Sequence, residues 1–204
     1  QVAAEEGFDN PLPQTGDANL KAADFNGTNN FYVTDKTVFD FGRHLTVEAY
    51  FRVDSWPESM GVLAGQFAST LGQQSWFFGI RSTGELQFRA SSIGNSFANY
   101  TSDFAASVVP GKDYYAAVVY DGAAARCTIY LKNLTDGGLL EQFVTNNINV
   151  TSLFNSTVHL NIGAIVDGSK DTGDTRLRFD GRIDEVRISD KSLLPEHLLV
   201  NEAV

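Results

Sequence analysis

The stretch Arg178-Phe179-Asp180-Gly181-Arg182-Ile183-Asp184-Glu185-Val186-Arg187-Ile188-Ser189 decides the fold. Alternate residues of a β-strand lie on opposite faces, so the apolar residues of one face should keep one parity. The apolar residues up to Ile183 share one parity, whereas those from Val186 onward share the other. One extra residue explains the change, so the sequence predicts a long strand with a β-bulge at Asp184-Glu185.

Strand patterns precede this stretch along most of the chain. The cleanest is 45–53, where apolar and polar residues alternate over nine positions. Other strands are predicted at 22–25, 31–34, 61–67, 76–81, 85–90, 113–120, 126–132, 140–145 and 159–162. The tight-turn signal Asn26-Gly27 predicts that the first two of these form a hairpin. Short strands without intervening amphipathic helices indicate an all-β sandwich of two antiparallel sheets.

The domain organisation predicted for residues 1–204 is a single sandwich domain. Residues 1–19 are polar and turn-rich, which predicts an N-terminal arm that must pair with the body or fray. Only residues 192–204 have a helical character, with Pro195 suited to a first helical turn. The prediction is therefore a jelly-roll-like sandwich with a short C-terminal helix.

The charge balance excludes one class of partner and the apolar pattern another. The chain carries 25 acidic and 15 basic residues, a net charge of −10, which argues against binding to nucleic acid phosphates. No apolar run approaches the roughly 18 residues of a membrane span, so no membrane insertion is expected. The single cysteine, Cys127, lies in an apolar run and is predicted to be a buried thiol.

Two features favour a secreted or cell-surface protein. The chain begins at Gln1 rather than Met, as expected of a processed or trimmed chain. Asn-x-Ser/Thr triplets, the acceptor pattern for N-glycosylation, occur at Asn26, Asn99, Asn133, Asn149 and Asn155.

Three stretches in this order resemble a known family. They are ADFNGTNNFYV at 23–33 with FDFGRHLTVEAYF at 39–51, GKDYYAAVVYDG at 111–122, and FDGRIDEVRI at 179–188 followed by LLPE at 193–196. Their order and spacing resemble the LamG-like (laminin G/pentraxin-type) domains of the concanavalin A-like lectin/glucanase superfamily. The resemblance implies a jelly-roll sandwich with one curved, concave sheet.

The same resemblance implies a structural calcium ion between the first hairpin and the last long strand. The matching ligand positions are Asn26, Asn30 and Asp184. Calcium prefers six to eight oxygen ligands, which turns can supply as carbonyls and carboxamides. Family members often have Asp at the two Asn positions, so the amides should weaken the site. The alternative is that Asp184 only accepts hydrogen bonds from backbone donors.

The carboxylate pattern of a glycosidase is absent. Glucanases of this superfamily carry Glu-x-Asp-x-(x)-Glu on one strand, whereas Tyr50 and Arg52 follow Glu48 at the corresponding positions. The histidines His44, His159 and His197 have no metal-binding spacing. The chain is thus expected to be non-catalytic, with a polysaccharide lyase or glycoside hydrolase as the third possibility.

Strand parity indicates which side chains face away from the core. The outward positions form a candidate ligand-binding set, made up of Tyr50, Phe77, Arg81, Arg89, Tyr115 and Tyr130. Aromatic rings stack on sugars, and arginine binds hydroxyl groups, so this set predicts a carbohydrate-binding, lectin-like recognition module with a glycan as partner. Two alternatives stay open: loops or the N-terminal arm cover these aromatics, or the domain binds an extracellular protein in adhesion.

Overall fold

The strand predicted at 45–53 lies in the middle of a sheet, and nearly all of its residues are buried. The structure is a computed structural model that describes residues 3–8, 19–68, 72–104, 107–166 and 175–201. The strands of the described residues are β1 (Ala3–Glu6), β2 (Lys21–Asn26), β3 (Phe31–Val33), β4 (His44–Val53), β5 (Met60–Ala68), β6 (Gln73–Arg81), β7 (Leu86–Gly94), β8 (Ala98–Thr101), β9 (Asp113–Asp121), β10 (Arg126–Asn133), β11 (Glu141–Asn146), β12 (Leu160–Ile162), β13 (Ile165–Val166), β14 (Thr175–Arg176) and β15 (Asp180–Ser189).

These strands form two sheets that share one core. The seven-stranded sheet has the order β1-β2-β15-β4-β9-β10-β11 within the described residues, and its pairs are antiparallel. The eight-stranded sheet has the order β14-β13-β5-β6-β7-β8; β12 also pairs with β5, and β3 pairs with β12. Val166 of β13 and Ala68 of β5 form a parallel pair, which departs from the otherwise antiparallel pattern.

The alternation correctly predicted which residues fill the space between the sheets. Each of the following predicted inward positions is buried in the central cluster: Leu45, Val47, Ala49, Phe51, Val53, Trp76, Phe78, Ile80, Leu86, Phe88, Tyr114, Ala116, Val118, Tyr120, Cys127, Ile129 and Leu131. Burial also raises the pKa of the Cys127 thiol, which keeps it protonated and unreactive at neutral pH.

The β-bulge of β15 is confirmed. Asp184 pairs with Tyr50 and Arg187 pairs with Glu48, so Glu185 and Val186 together face the single intervening residue of β4. Glu185 has a positive φ of 48°, a left-handed conformation that absorbs the extra residue.

Gly181 allows β15 to lie close against β4 before the bulge. Its φ is 140°, and a Cβ atom built at this position would lie 2.0 Å from the carbonyl oxygen of Arg52. A side chain would therefore collide with the neighbouring backbone, so only glycine fits at this position.

The predicted hairpin between the first two strands is wrong. β2 pairs with β1 and β15 in one sheet, whereas β3 pairs with β12 in the other. The Asn26-Gly27 turn therefore carries the chain between the sheets. Local turn chemistry cannot distinguish this crossing from a hairpin, because both need a residue with positive φ.

The two chain ends are held against the seven-stranded sheet. The arm is tied to the body by pairing of β1 with β2, and residues 9–18 of the predicted arm lie outside the described residues. The tail forms two short 3₁₀ turns, Pro195–His197 and Leu199–Asn201, where a short helix was predicted. Leu194 stands at the N-cap position and makes no side-chain capping bond, which fits so short a turn. Within the described residues, no helix is long and apolar enough to cross a membrane.

Candidate ligand-binding face

The outer face of the seven-stranded sheet is covered by both chain ends. Three of the predicted binding residues belong to a buried cluster on this face, which consists mainly of Phe8, Tyr50, Tyr115, Tyr130, Leu198 and Leu199. Phe8 comes from the arm and the two leucines come from the tail. The side chain of Tyr115 is 0% exposed, so it offers no surface to a ligand. On this side, the arm and the tail cover the aromatic residues, which is one of the two alternatives that the sequence left open.

A buried carboxylate holds the tail on that face. Glu48 accepts hydrogen bonds from the Tyr115 hydroxyl at 2.6 Å and from the Leu199 backbone N–H at 2.8 Å. Its second oxygen accepts one from Arg187 Nε at 2.6 Å. Burial and the neighbouring Glu48 carboxylate raise the pKa of Tyr115, so its phenol remains a donor at neutral pH. Glu48 therefore has a structural role in this arrangement.

The outer face of the eight-stranded sheet carries the other three predicted residues. Strand pairing places Gly65, Phe77, Arg89 and Asn99 in one row across β5, β6, β7 and β8. Phe77 and Arg89 are thus brought together, as neighbours on adjacent strands. Arg81 lies four residues further along β6, about 13 Å away at the usual rise per residue. It is exposed there and pairs with Glu85 at 3.9 Å.

Arg89 is held between two aromatic rings. Its guanidinium carbon lies 4.8 Å from the ring centroid of Phe77 and 4.0 Å from that of Phe97. Its Nε donates a hydrogen bond of 2.8 Å to Asn99 Oδ1, and its Nη2 makes a longer contact of 3.5 Å with Gln87 Oε1. Two rings and two amides therefore fix the plane of the guanidinium.

The charge of Arg89 has no acidic partner in the described part of the chain. Its hydrogen-bond acceptors are the neutral side chains Asn99 and Gln87, and none of the ion pairs there includes it. Burial lowers the pKa of Arg89 to about 10, so the side chain still carries its positive charge at neutral pH. The face thus holds a half-buried cation among uncharged groups.

The accessible part of this face lies toward β7 and β8, which here is called the Arg89 face. Phe77 is fully buried beneath Arg89 and packs in a cluster with Phe67 and Ile165. Phe97 is 41% exposed and Asn99 is exposed, so a ligand can reach both beside Arg89. Phe77 consequently supports the guanidinium from below, while the residues around it present the open surface.

A cavity of about 640 Å³ lies at the ends of the strands, and none of the residues of the Arg89 face lines it. Its lining includes Ser55, Trp56, Glu58, Arg176 and Asp180. Trp56 is 40% exposed, nearly the same exposed fraction as Phe97. Trp56 and Phe97 are therefore aromatic rings of similar exposure at two different sites.

The hairpin asparagines predicted to bind calcium have other partners. Asn26 Oδ1 accepts hydrogen bonds from the Thr28 backbone N–H at 3.1 Å and from its hydroxyl at 2.7 Å. Asn30 donates from Nδ2 to Asn161 Oδ1 at 2.9 Å, which links it to the other sheet. Both amides thus serve local structure around the crossing between the sheets.

Asp184 lies further along β15, away from this turn. Asn26 pairs with Asp180 across the two strands, so Asp184 lies four residues further along β15, roughly 13 Å away. Asp184 accepts a hydrogen bond from Asn19 Nδ2 at 2.8 Å. Among the described residues, no group of three or more His, Cys, Asp or Glu side chains could hold a metal ion. Calcium binding by Asn26, Asn30 and Asp184 stays a prediction from the family resemblance, with Asp184 placed apart from the two asparagines.

The chain belongs to the concanavalin A-like lectin/glucanases superfamily, because the Laminin_G_3 family model matches residues 25–198. This agrees with the resemblance stated above and with the sandwich of two sheets. No curated protein matches the chain in sequence.

Solved structures share the fold at low sequence identity. The CBM40 domain of the Ruminococcus gnavus IT-sialidase has a TM-score of 0.65 at 12% identity, with 99% of each chain covered. The LG1-3 region of the laminin alpha2 chain has a TM-score of 0.59 at 15% identity, covering 83% of this chain and 31% of that one. The heptameric SAP-like pentraxin of Limulus polyphemus has a TM-score of 0.51 at 14% identity, covering 81% and 76%. Several similar structures are much longer, and this chain spans as little as 24% of one of them.

The residues that complete the Arg89 face were missed in the sequence. Phe97 stands in a polar stretch and belongs to no apolar alternation, and the short strand β8 was not predicted at all. Asn99 drew notice only as a glycosylation acceptor. Asn99 pairs with Arg89, and Thr101 pairs with Gln87. The alternation of the polar residues Asn99 and Thr101 was the one signal in the sequence that could have predicted a strand here.

Proposed function

We propose that this chain is a non-catalytic carbohydrate-binding module whose ligand lies on the Arg89 face. The observation that carries the proposal is the arginine held between Phe77 and Phe97 beside the exposed Asn99. Sugar rings bind through contact of their C–H groups with an aromatic face and through hydrogen bonds from their hydroxyl groups to planar polar side chains. Arg89 and Asn99 supply the polar groups from the paired strands β7 and β8, and Phe97, directly before β8, supplies the aromatic ring.

The coverage of the opposite face supports the same location. Arm and tail cover the aromatic residues of the seven-stranded sheet, which leaves the eight-stranded sheet as the side with accessible aromatic and polar groups. A module of similar fold, the Ruminococcus gnavus CBM40, has a solved structure bound to alpha2,3 sialyllactose, which makes a glycan ligand a reasonable first probe.

Glycan-array screening followed by calorimetric titration of a bound glycan tests this proposal. Phe97→Ala should weaken binding by about tenfold or more, because stacking on an exposed ring is lost. Trp56→Ala is the matched control, since it removes an aromatic of nearly equal exposure from the other cavity. Loss of binding in Trp56→Ala with normal binding in Phe97→Ala would move the site to that cavity. A protein that binds no glycan would contradict the proposal.

A protein-binding role is the second candidate. Phe31, Tyr32 and Val38 are large apolar residues that lie close together in sequence, and each is more than half exposed. Exposed apolar groups of this kind are typical of protein–protein contact sites. A stable complex with an extracellular protein that Tyr32→Ser disrupts, together with the absence of glycan binding, would favour this candidate.

The proposed setting is extracellular, either secreted or at the cell surface. Of the acceptor asparagines outside the Arg89 face, Asn26, Asn149 and Asn155 are exposed and Asn133 is half-buried, so the glycosylation enzyme could reach these side chains. Secretion of the chain from eukaryotic cells, followed by a loss of mass on treatment with an N-glycosidase, would support this setting. Full-length secreted protein without attached glycan would contradict the use of these acceptors.

A further inference from the structure

We propose that the ligand of the Arg89 face carries a carboxylate, so that the preferred ligand is an acidic sugar whose carboxylate pairs with the Arg89 guanidinium. The inference rests on the proposed function, and it adds the chemical class of the ligand. Its basis is the set of contacts that Arg89 makes and the charge it retains.

The hydrogen-bonding capacity of Arg89 is only partly used. A guanidinium has five N–H donors. Two of them contact Asn99 and Gln87, which leaves three for a ligand. A carboxylate is the acceptor that matches this planar group best, because it can accept two parallel hydrogen bonds from it.

The electrostatics of the face favour an anion. A half-buried cation loses hydration, and an opposite charge is the usual compensation for that loss. The contacts of Arg89 with Phe77 and Phe97 stabilise the cation, and its amide neighbours contribute only dipoles. Thr101, which accepts a hydrogen bond of 2.7 Å from Gln87 Nε2, is also uncharged. A ligand carboxylate would therefore supply the counter-charge that the described chain does not provide.

The overall charge of the chain limits how acidic the ligand can be. A net charge of −10 repels anions at long range, and a polyanion would meet this repulsion at every charged group. One carboxylate placed against one fixed arginine gains a short-range contact while adding little repulsion. The inferred ligand is accordingly a glycan with an isolated acidic sugar, such as a terminal one.

The preorganisation of Arg89 makes the contact specific. Aromatic rings on both sides and the Asn99 hydrogen bond fix the side chain before a ligand arrives. Little rotamer entropy is then lost on binding, so the charge pair contributes more to affinity than a flexible surface pair would.

The test uses glycans that differ only in the acid. Sialyllactose, a glucuronic acid-terminated disaccharide and a galacturonic acid-terminated disaccharide are each titrated beside their methyl esters by calorimetry, together with neutral lactose. The full chain is compared with Arg89→Gln, which removes the charge, and with Arg89→Lys, which keeps the charge without the planar group. Arg126→Gln is the matched control, because it changes the net charge equally at an exposed position on the other sheet.

The expected result is at least one acid that binds about tenfold or more tightly than its ester. Arg89→Gln should abolish this preference, Arg89→Lys should retain part of it, and Arg126→Gln should leave it unchanged. Equal affinity of acid and ester in every pair that binds would overturn the inference while leaving the proposed function intact, as would a preference that survives in Arg89→Gln. Binding of no glycan, acidic or neutral, would overturn both.

Discussion

Arg187 Nε lies 2.6 Å from Glu48 Oε2, and this ion pair joins the strand that follows the bulge to the centre of the seven-stranded sheet. The glutamate side chain is 0% exposed. The bulge makes the pair possible, because the extra residue shifts the register so that Arg187 stands opposite Glu48. The same arginine also donates to the carbonyl oxygen of His197, which brings the tail into the pair.

Glu48→Gln should lower the free energy of unfolding by about 3 kcal/mol, because it leaves Arg187 without its carboxylate. Urea unfolding of variant and parent measures the change. Glu141→Gln provides the control, since Glu141 is exposed on β11 and should change stability by less than about 0.5 kcal/mol. Equal stability of the two variants would show that the ion pair does not hold the sheet together.

Leu198→Ala should destabilise the tail and cost about 2–4 kcal/mol, because Leu198 is fully buried against the outer face of the seven-stranded sheet. Faster cleavage by a protease after the tail loosens is the second expected result. Leu194→Ala in the same tail is the control, since Leu194 is 56% exposed. If both variants resist cleavage like the parent, the tail does not depend on Leu198.

Gly181→Ala should be the most damaging small change in β15. The added methyl group would meet the Arg52 carbonyl oxygen, so β15 and β4 must separate or the protein must fail to fold. Thermal unfolding monitored by circular dichroism gives the effect. Gly42→Ala is the control, because no atom lies within 4 Å of the added carbon and no positive φ opposes it. A normal melting temperature for Gly181→Ala would mean that the register around the bulge is wrong.

Binding of a carboxylate glycan should depend on pH through Arg89. The lowered pKa of Arg89 is about 10, so the cation is present below this value and is lost as pH rises through it. Affinity for the acid should therefore be constant through neutral pH and fall above about pH 10, whereas affinity for the ester should change less. The side chains in contact with Arg89, namely Phe77, Phe97, Asn99 and Gln87, do not titrate, which leaves the arginine as the group responsible. Affinity for the acid that persists unchanged above pH 11 would contradict this assignment.

Calcium should not stabilise the fold through Asn26, Asn30 and Asp184. The two amides are bonded within the protein and Asp184 lies along the strand from them, so added calcium should leave the melting temperature unchanged. Differential scanning fluorimetry with calcium, and separately with a chelator, measures this. A rise in melting temperature that Asp184→Asn removes would support the calcium site predicted from the family resemblance.

The alternation of apolar and polar residues was sufficient to predict the core residues, but not to predict which residues form the ligand-binding face. Which residues of β4, β6, β7, β9 and β10 face inward follows from a local period of two, and burial confirms it. Which sheet each strand joins depends on pairing between distant segments. Tyr115 and Phe77 looked equivalent in sequence, yet one lies under the tail and the other under Arg89.

The position of Asp184 shows the same limit. The change of parity in 178–189 located the bulge correctly, because parity is a property of the strand itself. The hydrogen-bond partner of Asp184 is Asn19, which is distant in sequence, and β2 and β3 lie in different sheets, so local parity could not predict the surroundings of Asp184. Phe97 was missed for a related reason, since an exposed ring in a turn carries no periodic signal.

The position of the arm and the tail on one face determines how the module can be attached to something else. Phe8 and Leu198 both pack on the seven-stranded sheet, on the side opposite Arg89. A linker or a sensor surface attached beside Phe8 or Leu198 would therefore sit behind the module, with the Arg89 face pointing away from the support. Immobilisation at these positions should leave that face open, whereas random coupling through surface lysines would not orient it.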